Sequence, residues 1–400
     1  MQLKKAFKYE LMPKGEHIRK MKQFCGCARF VFNKALAWQN DQYLADNNFK
    51  FGYTKIANLL PAWKEEFKWL GSCHSQVLQQ SLKDLESSFR NFFRKQSDFP
   101  KFKKKGLRDS FRFPQGFKLD ENNSRLYLPK IGWVRYRNSR AVVGTIKNVT
   151  ISQKCGKWYA SLQTEFGVDN PVPCGGEVGI DMGIARFATL SDGTYFEPRN
   201  SFKHYQQQLA RLQKQMSHKV KFSRNWLKAK SKISKLHSCI ANTRRDYLHK
   251  ISTQISQNHA IVYVEDLKVS NMSKSAKGNS ECHGKMVKQK SGLNRSILDQ
   301  SWFEFRRQLD YKLLWHGGHL VGVDPKNTSR TCPACGHISK DNRQSQSHFE
   351  CMECGFTSNA DEVGAINILR AGRAQLACEV NDAVMSSAAG THRGELAACS

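Results

Sequence analysis

Glu177-Val178-Gly179-Ile180-Asp181-Met182-Gly183 reads as a buried strand with one carboxylate set inside an apolar run flanked by glycines. The residues after this strand set the architecture. Ile184–Leu190, the turn Ser191-Asp192-Gly193 and Thr194-Tyr195-Phe196 complete an antiparallel three-strand meander. Thin apolar stripes at helical spacing (Leu209, Leu212, Met216; Ile233, Leu236, Ile240; Leu248, Ile251, Ile255) predict one or two long helices over 202–257. A strand returns at Ala260–Glu265. Residues 271–293 are rich in Ser, Lys and Gly and are expected to be mobile. A helix is predicted from about Ser296 to Trp315, then Gly317-Gly318 and a strand at His319–Val323. Asp361 to Ile368 opens a last helix. Three strands, helix, strand, helix, strand, helix is the order of a ribonuclease-H-like α/β fold, with a large helical insertion before its fourth strand.

Working toward the N-terminus, Ala6-Phe7-Lys8-Tyr9-Glu10-Leu11 alternates and stops at Pro13-Lys14-Gly15, a strand and a turn. From Glu16 to Arg94 the apolar spacing is helical (Phe24, Ala28, Val31, Phe32, Ala35, Leu36; later Val77, Leu78, Leu82, Leu85, Phe89), and Phe99-Pro100 ends the block. Residues 111–166 return to short strands, and Pro171-Val172-Pro173 marks a boundary. The predicted organisation is a β-domain at 1–15 and 96–172, a helical domain inserted at 16–95, an α/β domain at 173–326 and 356–371, a small module at 327–355, and a disordered tail at 372–400.

The chain holds 64 Lys and Arg against 34 Asp and Glu in 400 residues, a formal charge of +30. Residues 1–172 carry +18 of it, residues 173–371 carry +13, and the tail carries −1. A folded body charged throughout repels itself unless it meets a polyanion, so nucleic acid is the expected partner. No apolar run approaches the ~18 residues of a membrane span, and the N-terminus lacks the apolar core of a signal peptide. A cytoplasmic protein with no membrane partner is expected. The densest basic stretch, Lys101-Phe102-Lys103-Lys104-Lys105, leads to Phe111-Arg112-Phe113. It is either a solvated face or a surface where rings stack on bases and cations meet phosphate. The same two readings apply to Arg224, Lys228, Lys230, Lys232 and Lys235.

Thirteen cysteines in a chain without a secretory signal argue for free thiols plus a metal site. Cys332-Pro333-Ala334-Cys335-Gly336 and Cys351-Met352-Glu353-Cys354-Gly355, with fifteen residues between Cys335 and Cys351, have the spacing that wraps four thiolates around one Zn2+. Four sulfur ligands leave no open position, so this zinc is structural. The glycines permit the knuckle turns. Cys25, Cys27, His337 and His392 lack ligand partners at sensible spacing. The remaining signal is acidic: Asp181 in its strand, Glu265 ending Ile261-Val262-Tyr263-Val264, and Asp361 in the first turn of the last helix. Each alone is explained by a strand-end charge, an exposed terminus or the helix dipole. In the predicted fold they converge. Two Mg2+ about 3.5–4 Å apart would compensate them, activating water and stabilising the leaving oxygen in phosphodiester hydrolysis.

Over residues 1–370 the chain resembles the TnpB (OrfB) family of transposon-encoded RNA-guided nucleases, related to the compact type V CRISPR effectors. The resemblance is carried by Ala6-Phe7-Lys8-Tyr9, Phe99 to Lys103, the stretch Gly179 to Gly183, Val264-Glu265-Asp266-Leu267, Trp302 to Gly318, Thr328-Ser329-Arg330-Thr331-Cys332 and Asp361 to Ile368. It implies a wedge-like β-domain carrying a helical recognition insertion, then a split RuvC nuclease holding a zinc ribbon. It also implies a catalytic triad of Asp181, Glu265 and Asp361, a guide RNA from the transposon end, and target DNA cut beside a short motif. A guide-dependent repressor without cleavage and a guide-free RuvC-like recombinase are the alternatives. Arg330, before the ribbon, is either a phosphate clamp or an ordinary surface arginine. One departure stands out. The family's Asn-Ala-Ala after the last Asp and one intervening residue is here Val363-Gly364-Ala365, and Gly364 is expected to weaken the helix by up to ~1 kcal/mol and loosen Asp361.

Overall fold

The computed structural model describes residues 2–167 and 171–391, with side chains described as far as residue 378. The chain divides into two compact units, 1–169 and 170–400.

In the first unit β1 (Gln2–Met12) alternates, burying Leu3, Phe7, Tyr9 and Leu11. Its neighbour along most of its length is the last strand of the unit, β7 (Lys157–Gly167), with Gln2 opposite Gly167 and Leu11 opposite Trp158. Between them in sequence come β2 (Ser110–Phe113), β3 (Lys118–Asp120), β4 (Arg125–Leu128), β5 (Gly132–Tyr136) and β6 (Thr145–Lys154). They form one antiparallel sheet in the order β2-β6-β7-β1-β5-β4-β3. The helical segment is thus inserted into a single sheet, between β1 and β2. It comprises α1 (Gly15–Ala45), α2 (Tyr53–Ala57), α3 (Leu60–Glu66) and α4 (Ser75–Phe93). α1 buries Phe24, Ala28, Val31, Ala35 and Leu36, and α4 buries Val77, Leu78, Leu82, Leu85 and Phe89. Where the two helices meet, the Ser81 hydroxyl donates to the Ala28 carbonyl at 2.5 Å. Phe24 packs edge-on to Phe111 of β2 at 5.5 Å, making helices and sheet one core.

The second unit begins with β8 (Gly176–Asp181), β9 (Ala188–Leu190) and β10 (Tyr195–Phe196). α5 (Ser201–Ser217) and α6 (Arg224–Asn258) follow, then β11 (His259–Glu265), α7 (Val269–Met272), α8 (Val287–Gln300), α9 (Trp302–Trp315) and β12 (His319–Val323). The sheet order is β10-β9-β8-β11-β12, with β8, β11 and β12 parallel. Strand alternation gives the sheet two faces. Val178, Ile180, Val262 and Val264 pack with Leu248, Ile251, Ile255, Phe305, Leu309 and Leu313 of α6 and α9. On the other face lies the final helix, α10 (Ala360–Thr391), whose Ile368 meets Tyr263 and Val323. At Gly179 any Cβ would overlap the Ala365 carbonyl, so a glycine in mid-strand is what lets α10 lie on β8.

Three expectations change. The segment expected to be mobile at 271–293 contains the end of α7 and the first half of α8. It is tied down where Lys290 Nζ donates to the Met272 carbonyl at 2.7 Å and Asn294 Nδ2 to the Ser273 carbonyl at 3.0 Å. The single helix expected from Ser296 to Trp315 is two, broken at Ser301, whose φ is +58°. The cause is tertiary: buried Asp299 accepts from Ser201 Oγ and the Phe202 N–H at the start of α5 and pairs with Arg244 at 3.3 Å. Helix α10 continues to Thr391, so residues 372–391, expected as a disordered tail, extend it. Residues 392–400, including His392, lie outside the described residues. Among the described residues no helix is long and apolar enough to cross a membrane.

Candidate active site

β8 and β11 run parallel and end together. Their last paired residues are Ile180 and Val264, which leaves Asp181 and Glu265 side by side at the carboxyl ends of adjacent strands. Ligands of open α/β sheets collect at that end. Both carboxylates share the face that α10 covers, because their neighbours Ile180 and Val264 point to the other. Asp361 joins them from the first turn of α10, its N–H held at 3.0 Å by Asn359 Oδ1, as a side-chain cap would hold it.

The electrostatics follow from this crowding. Burial, then the charges of Glu265 and Asp361, push the Asp181 carboxyl up to about 7. Burial also raises Glu265, against the Thr328 hydroxyl, which donates to Glu265 Oε1 at 2.6 Å. Arg343 is the opposing cation. It stands 3.6 Å from Asp361 and lowers both Asp181 and Glu265. One arginine among three carboxylates leaves a net negative pocket, the chemistry of a hard divalent-cation site. The carboxylates are not drawn as tightly as the thiols: among the described residues only the cysteine set brings three or more candidate ligand atoms within 4.8 Å of one another.

That set is Cys332, Cys335, Cys351 and Cys354. Cys332 and Cys354 sulfurs are 3.6 Å apart, as are those of Cys335 and Cys351. A tetrahedron with Zn–S bonds of about 2.3 Å has edges of about 3.8 Å, so the thiols fit zinc. The two knuckles are alike. Gly336 and Gly355 have φ of +79° and +68°, and their N–H groups donate to Cys332 and Cys351 carbonyls at 3.0 and 2.9 Å. β13 (His348–Glu350) and β14 (Thr357–Asn359) form a two-stranded sheet whose second strand runs into α10.

Here the departure in the last motif finds its place. Val363 is fully buried against Cys332, Phe349 and Cys351, docking the first turn of α10 on the cysteine module. Gly364 faces Asp181: a Cβ there would lie 3.0 Å from Asp181 Oδ2. Val363 holds the carboxylate end of the helix by packing, and the missing Cβ at Gly364 lets that end lie close to Asp181. Asn367 adds to this, its Nδ2 donating to the Thr328 and Thr331 carbonyls at 2.8 and 2.7 Å.

The basic candidates are distributed differently. Arg330 is exposed, and its carbonyl accepts from Asn342 Nδ2; Arg343, thirteen positions on, is the arginine beside the carboxylates. No periodicity marks Arg343, and Thr328 was legible only as part of the Thr328–Cys332 stretch. In the first unit, Arg112 is engaged by Asp84, and Lys101 pairs with Asp98 at 3.1 Å. Lys103 Nζ stands over the Phe32 ring at 3.8 Å, while Lys104 and Lys105 are exposed. Arg224, Lys228, Lys230, Lys232 and Lys235 are all exposed on α6. A cleft of about 630 Å³ opens beside Glu265, lined by Asp266, Trp302, Phe303 and Arg306. Trp302 Nε1 is buried there without a hydrogen-bond partner.

Residues 161–276 match the OrfB_IS605 family model, described as "Probable transposase", and residues 302–368 match "Cas12f1-like, TNB domain". Residues 1–47 match the family's "Helix-turn-helix domain", although here they hold one strand and a single 31-residue helix. A protein of Escherichia coli K12 named "Putative RNA-guided DNA endonuclease InsQ" is 59% identical over 376 residues, covering 93% of each chain. One from Streptomyces pristinaespiralis, "Putative RNA-guided DNA endonuclease", is 33% identical over 94% of this chain and 91% of its own. Among solved structures, the Cas12f1–sgRNA–target DNA complex contains a chain that aligns with a TM-score of 0.58 at 14% identity, over 92% of this chain and 98% of that one. The shared fold is mixed α/β.

Proposed function

The chain belongs to the OrfB (TnpB) family, and from that premise we propose that it is an RNA-guided DNA endonuclease encoded by a transposon. It would hydrolyse guide-matched DNA beside a short target-adjacent motif. On this reading the second unit is a ribonuclease-H-like RuvC nuclease interrupted by a zinc ribbon. The first is a wedge β-domain with a helical recognition insertion, and the guide derives from the transposon end.

The observation that carries the proposal is the crowding of Asp181, Glu265 and Asp361 at the carboxyl ends of the parallel strands β8 and β11, with a proton held on Asp181 to about pH 7. Those three side chains would hold the catalytic Mg2+. When bound, such ions lower the pKa of water and stabilise a leaving oxygen. The chain's own residues prepare the site. Thr328 fixes one oxygen of Glu265, leaving the other free to bind. Val363 and Asn367 hold the first turns of α10, and with them Asp361. Arg343 is placed to give up its carboxylates to cations and turn to the scissile phosphate, where a guanidinium offers two parallel donors. The four cysteines would hold one structural zinc.

The test is cleavage of guide-matched duplex with Mg2+ by the purified protein and by Asp181→Ala. The variant is expected to lose cutting while keeping its RNA. Cutting that survives the substitution would refute the site, and specific binding to matched DNA without cutting by the parent chain would favour a repressor.

A further inference from the structure

A groove of about 800 Å³ lies within the first unit, between the end of α1, the segment that follows it and the end of α4. Its volume is that of a small-molecule site, ~300–1,000 Å³. Neither the three carboxylates nor the four clustered cysteines are part of it. Its wall is a ladder of rings: Phe51 stacks on Phe89 at 4.8 Å, and Phe89 stacks on Phe93 at 6.4 Å with planes 23° apart. Phe93, at the end of the ladder, is 72% exposed. An apolar ring stack that ends in solvent offers its next position to another flat π-system.

The polar groups name which kind. Gln39 lines the groove at 5% exposure, and its Oε1 is buried without a hydrogen-bond partner. Asn40, Asn47 and Asn48 add further amides. Amide side chains, with a donor and an acceptor side by side, are the groups that read base edges. Lys50 and Arg90 line the groove as well, with Glu86 3.7 Å from Arg90 as the acid present. A second copy of this basic unit would meet like charge there, whereas a nucleotide would bring a phosphate to the cations and a base to the rings.

We propose that this groove takes up an unpaired nucleobase of bound RNA, stacked on Phe93 with its edge against Gln39. RNA is favoured over target DNA because its loops and bulges present splayed bases, while duplex DNA keeps them stacked. The proposal rests on the RNA-guided reading only for the origin of that RNA.

Two substitutions separate binding from folding. Phe93→Ala removes an exposed ring. Gln39→Met keeps the volume and deletes the unpartnered oxygen, so it is expected to leave thermal stability unchanged or raise it. The full-length protein is titrated with single-stranded 15-nucleotide RNA containing 4-thiouridine, and with its 4-thiothymidine DNA counterpart. Each variant is expected to weaken RNA binding about tenfold, Phe93→Trp to restore it, and illumination to cross-link RNA to the peptide bearing Phe93. Unchanged RNA affinity in both variants, cross-linking by DNA alone, or an RNA-free dimer that Phe93→Ala dissociates would each overturn the proposal. Loss of guide-dependent cleavage in the parent chain, with the RNA cross-link intact, would instead count against the nuclease reading alone.

Discussion

Asp181 sits on the face of β8 that α10 covers, and its two carboxylate neighbours add to burial in holding its proton to about pH 7. The folded pKa therefore lies above the ordinary value of about 4, and the native state binds the proton more tightly than the unfolded chain. Without a cation, the stabilisation from this proton is complete below about pH 4 and is lost as pH rises through about 7. A divalent cation competes for the same oxygens, so its affinity is expected to climb with pH and level off above about 7. Titration with Mn2+ as a paramagnetic stand-in for Mg2+, from about pH 5.5 to about 8.5, checks this. Arg343→Gln removes the cation that lowers Asp181 and Glu265, and should move the rise to higher pH without deleting a ligand. A flat profile in the parent protein would rule out Asp181 as the competing group.

At the scale of elements, the cysteine module and α10 stabilise each other. Ala360 and Val363 belong to the core of the module, while Asp361 between them faces the sheet. Zinc binding at such a site contributes on the order of 10 kcal/mol. Removing it, by chelation or by Cys335→Ser, is expected to lower the melting temperature and to abolish the proposed cleavage, because the module seats the first turn of α10 that carries Asp361. Val363→Ala should cost about 2 kcal/mol in urea unfolding with zinc content unchanged. Equal stability of the two proteins would show that the helix does not depend on the module. α9 is locked to α6 in a different way: Lys312 Nζ, its pKa brought by burial to about 8, donates to the His249 carbonyl, Ser252 Oγ and Thr253 Oγ1, each at 2.7 Å. Nothing in the helical periodicity announces it, since a lysine on that stripe reads as surface.

For the molecule as a whole the +30 predicts steep salt dependence. Log affinity for duplex DNA should fall with log salt by about 0.9 for each phosphate neutralised, and six to ten contacts would cost roughly 10³–10⁵ between 50 and 200 mM salt. Fluorescence anisotropy across that range measures the slope, and a slope near zero would remove the charge from any account of DNA binding. The sequence by itself determined the order of strands and helices and the cysteine spacing, because alternation, helical stripes and knuckle glycines are local signals. It also marked Asp181 as a charge inside an apolar strand, while Glu265 and Asp361 stood out only through the order of elements in the predicted fold, each alone reading as an ordinary strand end or helix start. Only the tertiary structure decided that Ser301 breaks a helix, that Val363 docks one, that Arg343 and not Arg330 faces the carboxylates, and that Gln39 keeps an unpartnered oxygen. Each of these depends on a partner tens to hundreds of residues away or on the shape of a cavity, and neither leaves a periodic trace in the chain.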